Sequence, residues 1–309
     1  MKSLKVKSLL LLIIFSIFTS CEDKDNMQKI NDVKLKNQEQ ATTLSAAKLH
    51  NYLLYYMLNT YPVYQYDGSK FDMANDVINY FYGKELYGFE IGENDLEFVN
   101  SPTFVSIFND FTYDNLIHTY NKGLDSLYKK GEISIMFKDL MFDITKNAKD
   151  SSYADTYFKR TMEQLINYES TNKKEEYLLQ SFAYVYIYSN AYWTIYFGND
   201  VSYVYGRVLC GIADGVGGGA VGLLLGNVVA GKIAAGFASF CMREDIDAGK
   251  ICCCLAGHNP CDKECMKCIK PKNQQSNIPP LSEGDDFPLS GESLDAFNAF
   301  SAKHEPINL

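Results

Sequence analysis

Cysteine is the residue whose number and spacing most invite chemistry in this chain. There are nine. Cys252, Cys253, Cys254, Cys261, Cys265 and Cys268 crowd one short stretch, Cys210 and Cys241 bracket the tract before it, and Cys21 stands apart near the start. A thiolate is a soft metal ligand, and Cys265-x-x-Cys268 with Cys261 and His258 offers four donors at zinc-like spacing. The same residues read differently in an oxidising compartment. The eight that follow Cys21 form an even set, and exported chains use such sets for disulfides. Cys210 and Cys241 would then hold together the ends of the tract between them, and the other six would staple a loop too small for its own core. The expectation is disulfides with no metal and no cofactor, the pairing left open.

Two further motifs suggest nucleotide chemistry and then fail on their context. Gly226 to Lys232 spells a phosphate loop as far as its lysine, but Ile233 stands where a magnesium-ligating hydroxyl is needed, and no strand ending in aspartate follows. Gly217 to Gly222 fits the dinucleotide fingerprint by letter, without the strand and helix units that give it meaning. His-Glu-x-x-His, Gly-x-Ser-x-Gly and calcium-loop patterns are missing from the sequence. No catalytic constellation emerges, and the expectation is a protein without enzymatic activity.

The element that most constrains the rest is the glycine-rich tract from Gly211 to Met242. Glycine inside a helix costs about 1 kcal/mol relative to alanine, so this many must be offset by packing. Gly218, Gly222, Gly226, Ala230, Ala234 and Ala238 recur at every fourth residue, and Gly211, Gly215 and Gly219 form a second register beside them. Each register lays a side-chain-poor strip along a helix, against which another helix can pack closely, within a hairpin or by self-association. This glycine zipper is long enough to span a bilayer, yet Asn227 and Lys232 lie inside it. A membrane-associating segment and a buried helix or hairpin with Lys232 snorkelling to the surface both fit the pattern.

The start of the chain speaks to compartment. Lys2, Lys5 and Lys7 precede an apolar run from Leu9 to Phe18, the layout of a secretory signal. Small residues Thr19 and Ser20 then lead into Cys21, which resembles the lipobox of bacterial lipoproteins and implies lipid on Cys21. The following Glu22-Asp23-Lys24-Asp25 resembles the acidic export signal of Bacteroidota-type surface lipoproteins, implying an outer-membrane, surface-exposed location. Removing the three signal lysines takes the formal charge from −9 to −12, which argues against nucleic acid or anionic lipid as partners.

The body reads as mainly α. Leu44, Ala47, His50, Leu54 and Met57 mark one helix face; Met136, Phe137, Leu140, Met141 and Ile144 mark another. Ser101-Pro102 is a helix start, and Ser152 with Asp155 a capping box. Leu178, Phe182, Val185, Tyr192 and Ile195 form a long stripe, read as helix although Tyr184 to Tyr188 alternates like a strand. A small hairpin or loop fits between Tyr82 and Asn100. The 23 tyrosines suit the wet edges of a helical core, or an aromatic groove for glycans or peptides.

His50-Asn51-Tyr52-Leu53-Leu54-Tyr55-Tyr56 is similar to an HN-x-x-L-x-[YF] stretch near the start of uncharacterised Bacteroidota-type lipoproteins, in which a helical domain precedes a glycine-rich, bacteriocin-like segment. The resemblance implies an order of parts and no activity. His50 reads as a core histidine satisfied by hydrogen bonds; a pairing with His118 has no support in the sequence. The expected organisation is a signal peptide (1–20), a tether (21–40), an irregular helical bundle (41–205), the glycine segment (206–242), a Cys-rich segment (243–270), then a linker and short helix (271–309). In that last part Pro279-Pro280 and Glu283 to Asp286 argue against packing, and Ser293 is placed as the cap of a helix carrying Leu294, Phe297 and Phe300. The function expected is interaction at the cell envelope, through a protein or glycan ligand; the alternative is a membrane-active protein of the bacteriocin or contact-toxin kind.

Overall fold

The computed structural model describes residues 41–61, 70–102, 104–105, 113–148, 154–197, 204–224, 228–229, 231–236 and 278–309. The fold is mainly α. In chain order the elements are α1 (Thr43–Thr60), α2 (Lys70–Phe81), a two-stranded hairpin of β1 (Glu85–Leu86) and β2 (Phe89–Glu90), α3 (Glu93–Val99), α4 (Tyr113–Lys129), α5 (Ile135–Asn147), α6 (Ala154–Asn167), α7 (Lys173–Phe197), α8 (Val204–Leu224) and α9 (Gly291–Ser301). The described residues between 41 and 308 belong to one compact unit, within which α8 of the glycine segment packs on α7 of the bundle.

The centre of that core is α7. Asn172 starts it: its Oδ1 accepts from the N–H groups of Lys174 at 2.9 Å and Glu175 at 3.0 Å, satisfying donors that the first turn leaves open. From Leu178 to Phe197 nearly every side chain is buried, as expected of a helix enclosed on all sides. It packs against α8, α1, α6 and α9. The strand-like alternation at Tyr184, Tyr186 and Tyr188 has a helical explanation: residues four apart share a face and residues two apart oppose one another. Tyr184 and Tyr188 accordingly meet Phe300 and Phe297 of α9. Tyr186 instead meets Phe158 of α6 at 5.2 Å.

Several local starts are visible. Thr42 and Ser134 cap α1 and α5 by accepting from the Ser45 and Phe137 N–H groups, and the Ser101 hydroxyl accepts from Phe104 N at 3.3 Å. Ser152 and the turn at Asp67-Gly68 lie outside the described residues.

Residues 278–309 differ from the expected linker. Ile278 and Phe287 are buried, and the Phe287 ring lies 5.4 Å from that of Tyr192. Single apolar anchors hold a polar, proline-containing stretch down without giving it regular structure. Helix α9 begins after Ser290, three residues before the expected cap. Ser293 is inside the helix, buried, and its hydroxyl accepts from Asn190 Nδ2 at 3.0 Å.

Candidate functional site

The His50-Asn51 pair, singled out by sequence, sits fully buried on α1. Asn51 Nδ2 donates to the Tyr188 carbonyl at 2.8 Å, which leaves its Oδ1 to accept from His50 Nδ1 at 3.0 Å. That bond places a proton on Nδ1 and turns Nε2 towards Asp214 of α8, 3.3 Å from Oδ1. The approach falls short of hydrogen-bond geometry, so Nε2 faces the carboxylate without a bond to it. The other carboxylate oxygen, Oδ2, accepts from Trp193 Nε1 at 3.2 Å and from the Ser189 hydroxyl. Asp214 thus joins α1, α7 and α8 at one point.

Serine, histidine and aspartate in one cluster invite comparison with a hydrolytic triad. The connectivity is wrong for it. In a triad the hydroxyl donates to the imidazole, which takes its proton; here the Ser189 hydroxyl donates to the carboxylate. Ser189, His50, Asp214 and Trp193 are also all sealed from solvent. The arrangement orients and holds helices. His118, by contrast, is exposed on α4, so the two histidines are not brought together.

The glycine registers have different neighbours. A Cβ on Gly211 would lie 2.8 Å from the Tyr186 ring, and one on Gly215 would lie 2.8 Å from the Phe182 ring, so this register accommodates aromatic side chains of α7. Close approach of backbones occurs one position aside, where a Cβ on Gly217 would be 3.0 Å from Ala235 Cα. Gly218 makes room for the Lys232 ammonium, and Gly236 for Met57 of α1. Ala234 is buried. Gly219 and Gly222 lie on α8, but the surroundings of their side chains, together with Gly226, Ala230 and Ala238, fall outside the described residues.

Lys232 corrects the snorkelling expectation. It is only 2% exposed, and burial pushes its pKa down to about 7. The contact is close: a Cβ on Gly218 would lie 3.0 Å from Lys232 Nζ, so the missing side chain leaves the ammonium its place.

The seam makes a direct prediction. Gly215→Ala gains about 1 kcal/mol of helix propensity but presses a methyl group against a fully buried Phe182 ring, and overpacking costs about 1–3 kcal/mol. The expected outcome is a net loss of up to roughly 2 kcal/mol in urea unfolding for Gly215→Ala and a larger loss for Gly215→Leu. Gly92→Ala, where a Cβ meets nothing, is the clash-free control and should lose only the preference of a helix N-cap for glycine over alanine.

An open groove of about 510 Å³ lies where the chain's end crosses α7, lined by Tyr168, Ser170, Glu176, Gln180, Lys303 and His304 among others. Its polar groups serve one another. His304 Nδ1 lies 2.9 Å from Glu176 Oε1. Gln180 Nε2 donates to Glu176 at 2.7 Å and to the Glu305 carbonyl at 2.8 Å, while Gln180 Oε1 accepts from the Thr43 hydroxyl and Ile307 N. Burial alone would raise the Glu176 carboxyl, but the bonds from His304 and Gln180 outweigh it and hold the pKa down to about 2. These contacts clasp the last residues to the starts of α1 and α7. A depressed carboxyl contributes its full stability above its ordinary pKa of 4.5 and loses it progressively as pH falls from there to about 2, so the clasp weakens only in acidic solution.

Sequence reasoning missed Asp214, although it is the only carboxylate between Gly211 and Met242, a signal that could have found it. It also missed the Glu176 clasp, which joins residues more than a hundred positions apart. Cys21 and the cysteines from Cys241 to Cys268 lie outside the described residues; Cys210 is buried on α8. Among the described residues no group of three or more histidines, cysteines and carboxylates could hold a metal ion, and no helix is long and apolar enough to cross a membrane. Comparison with protein-family models, with curated proteins and with solved structures finds no match.

Proposed function

We propose that this chain is an exported, lipid-anchored helical protein of the cell surface that acts by interaction, without catalytic chemistry, and that its glycine segment is a clamp within its own domain. The observation that carries this reading is the inward use of the glycine tract: Gly211, Gly215 and Gly218 face α7 and Lys232, and Asp214 anchors the tract to α1 and α7. Among the described residues of the tract, Gly211, Gly215, Gly217, Gly218 and Gly236 are already covered by groups of the same domain, which supports packing of the segment within its own fold. Anchoring then falls to lipid on Cys21, supported by the lipobox-like residues around it and by the acidic run that follows. Resemblance to Bacteroidota-type surface lipoproteins supports the same location.

The membrane-active reading keeps one specific support, the burial of an ammonium group inside the glycine seam, which lowers the cost of detaching it. Two measurements separate the readings. Full-length chain should incorporate labelled palmitate in cells, and Cys21→Ala should lose the label and leave the membrane fraction. The full-length chain should leave the dye content of phosphatidylethanolamine and phosphatidylglycerol vesicles unreleased. Dose-dependent release, abolished by substitutions in the glycine tract, would overturn the clamp reading in favour of membrane activity.

A further inference from the structure

Tyrosines gather on one face away from the helical core. Tyr52 and Tyr56 of α1, Tyr80 and Phe81 of α2 and Tyr87 of the hairpin form a continuous set of ring contacts. Tyr56 stacks on Tyr80 at 4.7 Å and meets Phe81 edge-on at 4.8 Å. Tyr52 meets Phe81 at 5.8 Å and Tyr87 at 6.0 Å. Phe81 is buried beneath, whereas Tyr80 is 54% exposed.

The hairpin adds a ring at some conformational cost. Its two-residue turn needs positive φ at both central positions, which favours Asn-Gly. Gly88 fits at φ +82°, but the other position is Tyr87 at φ +53°, a conformation that disfavours a bulky side chain. Its hydroxyl donates to the Asp285 carbonyl at 2.7 Å and fixes the ring against Tyr52.

Two observations indicate what these rings suit. A cation already sits on them: Lys84 Nζ is 4.2 Å from the Tyr80 ring centroid and 5.2 Å from that of Phe81. The surroundings are acidic. Burial first and then the charge of Glu283 raise the Tyr52 phenol, and burial, then Tyr52, and after it Asp286, Asp285 and Glu283 raise Tyr87. Asp76 adds a smaller push on Tyr56. Lys48 pairs with Asp286 at 2.6 Å and offsets one of these charges, leaving Asp76, Glu283 and Asp285 against Lys84. Ring faces with nearby carboxylates attract cations in two ways, by quadrupole and by charge.

We propose that the platform of Tyr52, Tyr56, Tyr80 and Tyr87 is a docking surface for a basic segment of a partner protein, whose lysine or arginine side chains seat on the rings as Lys84 seats on Tyr80. The proposal rests on the interaction reading above and specifies its partner. Lys84 is then an internal placeholder that a partner's side chain displaces.

The test uses full-length chain in mild detergent and a fluorescent octa-arginine peptide, with a Gly/Ser peptide and maltohexaose as neutral probes. Wild type should bind octa-arginine alone. Tyr80→Ala should weaken that binding roughly twofold to thirtyfold, the range of a cation on a ring. Tyr87→Asn should relieve the turn, preserve the thermal midpoint and still weaken binding. Lys84→Ala should strengthen binding more than Lys174→Ala, which removes the same charge elsewhere. Binding that ignores Tyr80 and Tyr87 and follows net charge alone would overturn the proposal. Tyr80-dependent binding of maltohexaose without octa-arginine would overturn the cationic partner while leaving the interaction reading in place. Binding of no probe also overturns the proposal, and only the vesicle release described above would remove the interaction reading with it.

Discussion

Asp214→Ala should destabilise the domain by about 3–5 kcal/mol, the loss expected when one member of a buried charged cluster is deleted. The substitution strands two buried donors at once, the Ser189 hydroxyl and the Trp193 indole N–H, and removes the carboxylate that His50 Nε2 faces at 3.3 Å. Domains have about 5–15 kcal/mol of stability, so this is a large share, equivalent to a fall of roughly 6–20 °C in midpoint for a unit of this size. Asp214→Asn separates charge from hydrogen bonding. Its carbonyl oxygen can still accept from Ser189 and Trp193, and its amide can donate to a neutral His50 Nε2. Its loss should therefore be less than half that of alanine. If both variants unfold at the wild-type denaturant midpoint, Asp214 is not the point at which the three helices are joined.

This node shows how far the sequence could be read. The helical stripes on α1 and α5 were legible because one-sided burial imposes a period of 3.6 on apolar residues, whereas α7, buried on nearly every side from Leu178 to Phe197, carries apolar residues all round. The closeness of packing at the glycines was legible too, since only a neighbour can offset their helix cost. What could not be read was the neighbour. Gly211 and Gly215 could have faced a lipid, a second copy or their own domain, and the difference lies in Phe182 and Tyr186, which only the fold brings to them. The same holds for Lys232. Its position among apolar residues was plain, but its burial against Gly218, fourteen residues away in sequence and in contact in space, was not. The His50-Asn51 pair was visible as a motif, and its partner Asp214 was visible as an isolated carboxylate; nothing local connects them.

Lys232→Met should raise stability near pH 7 and flatten its dependence on pH. The lysine's ordinary pKa is 10.5 and burial lowers it to about 7, so the folded state holds fewer protons than the unfolded chain between those values. Stability falls as pH drops through that window, by up to about 1.4 kcal/mol per pH unit. Above the ordinary value the amine is neutral in both states and nothing is lost. Below about 7 it is charged in both, so the penalty is complete and acid adds no more. Integrated over the window the burden at neutral pH is of order 4 kcal/mol, well above the roughly 1.5 kcal/mol or less expected from the change of side-chain shape to methionine. Urea unfolding of wild type and Lys232→Met between pH 7 and 8.5 reads the effect below the range where phenols titrate. The wild-type curve should rise towards the variant's as pH increases. Parallel curves would show that the ammonium reaches water in the folded state, and with that the seam at Gly218 would hold no buried amine.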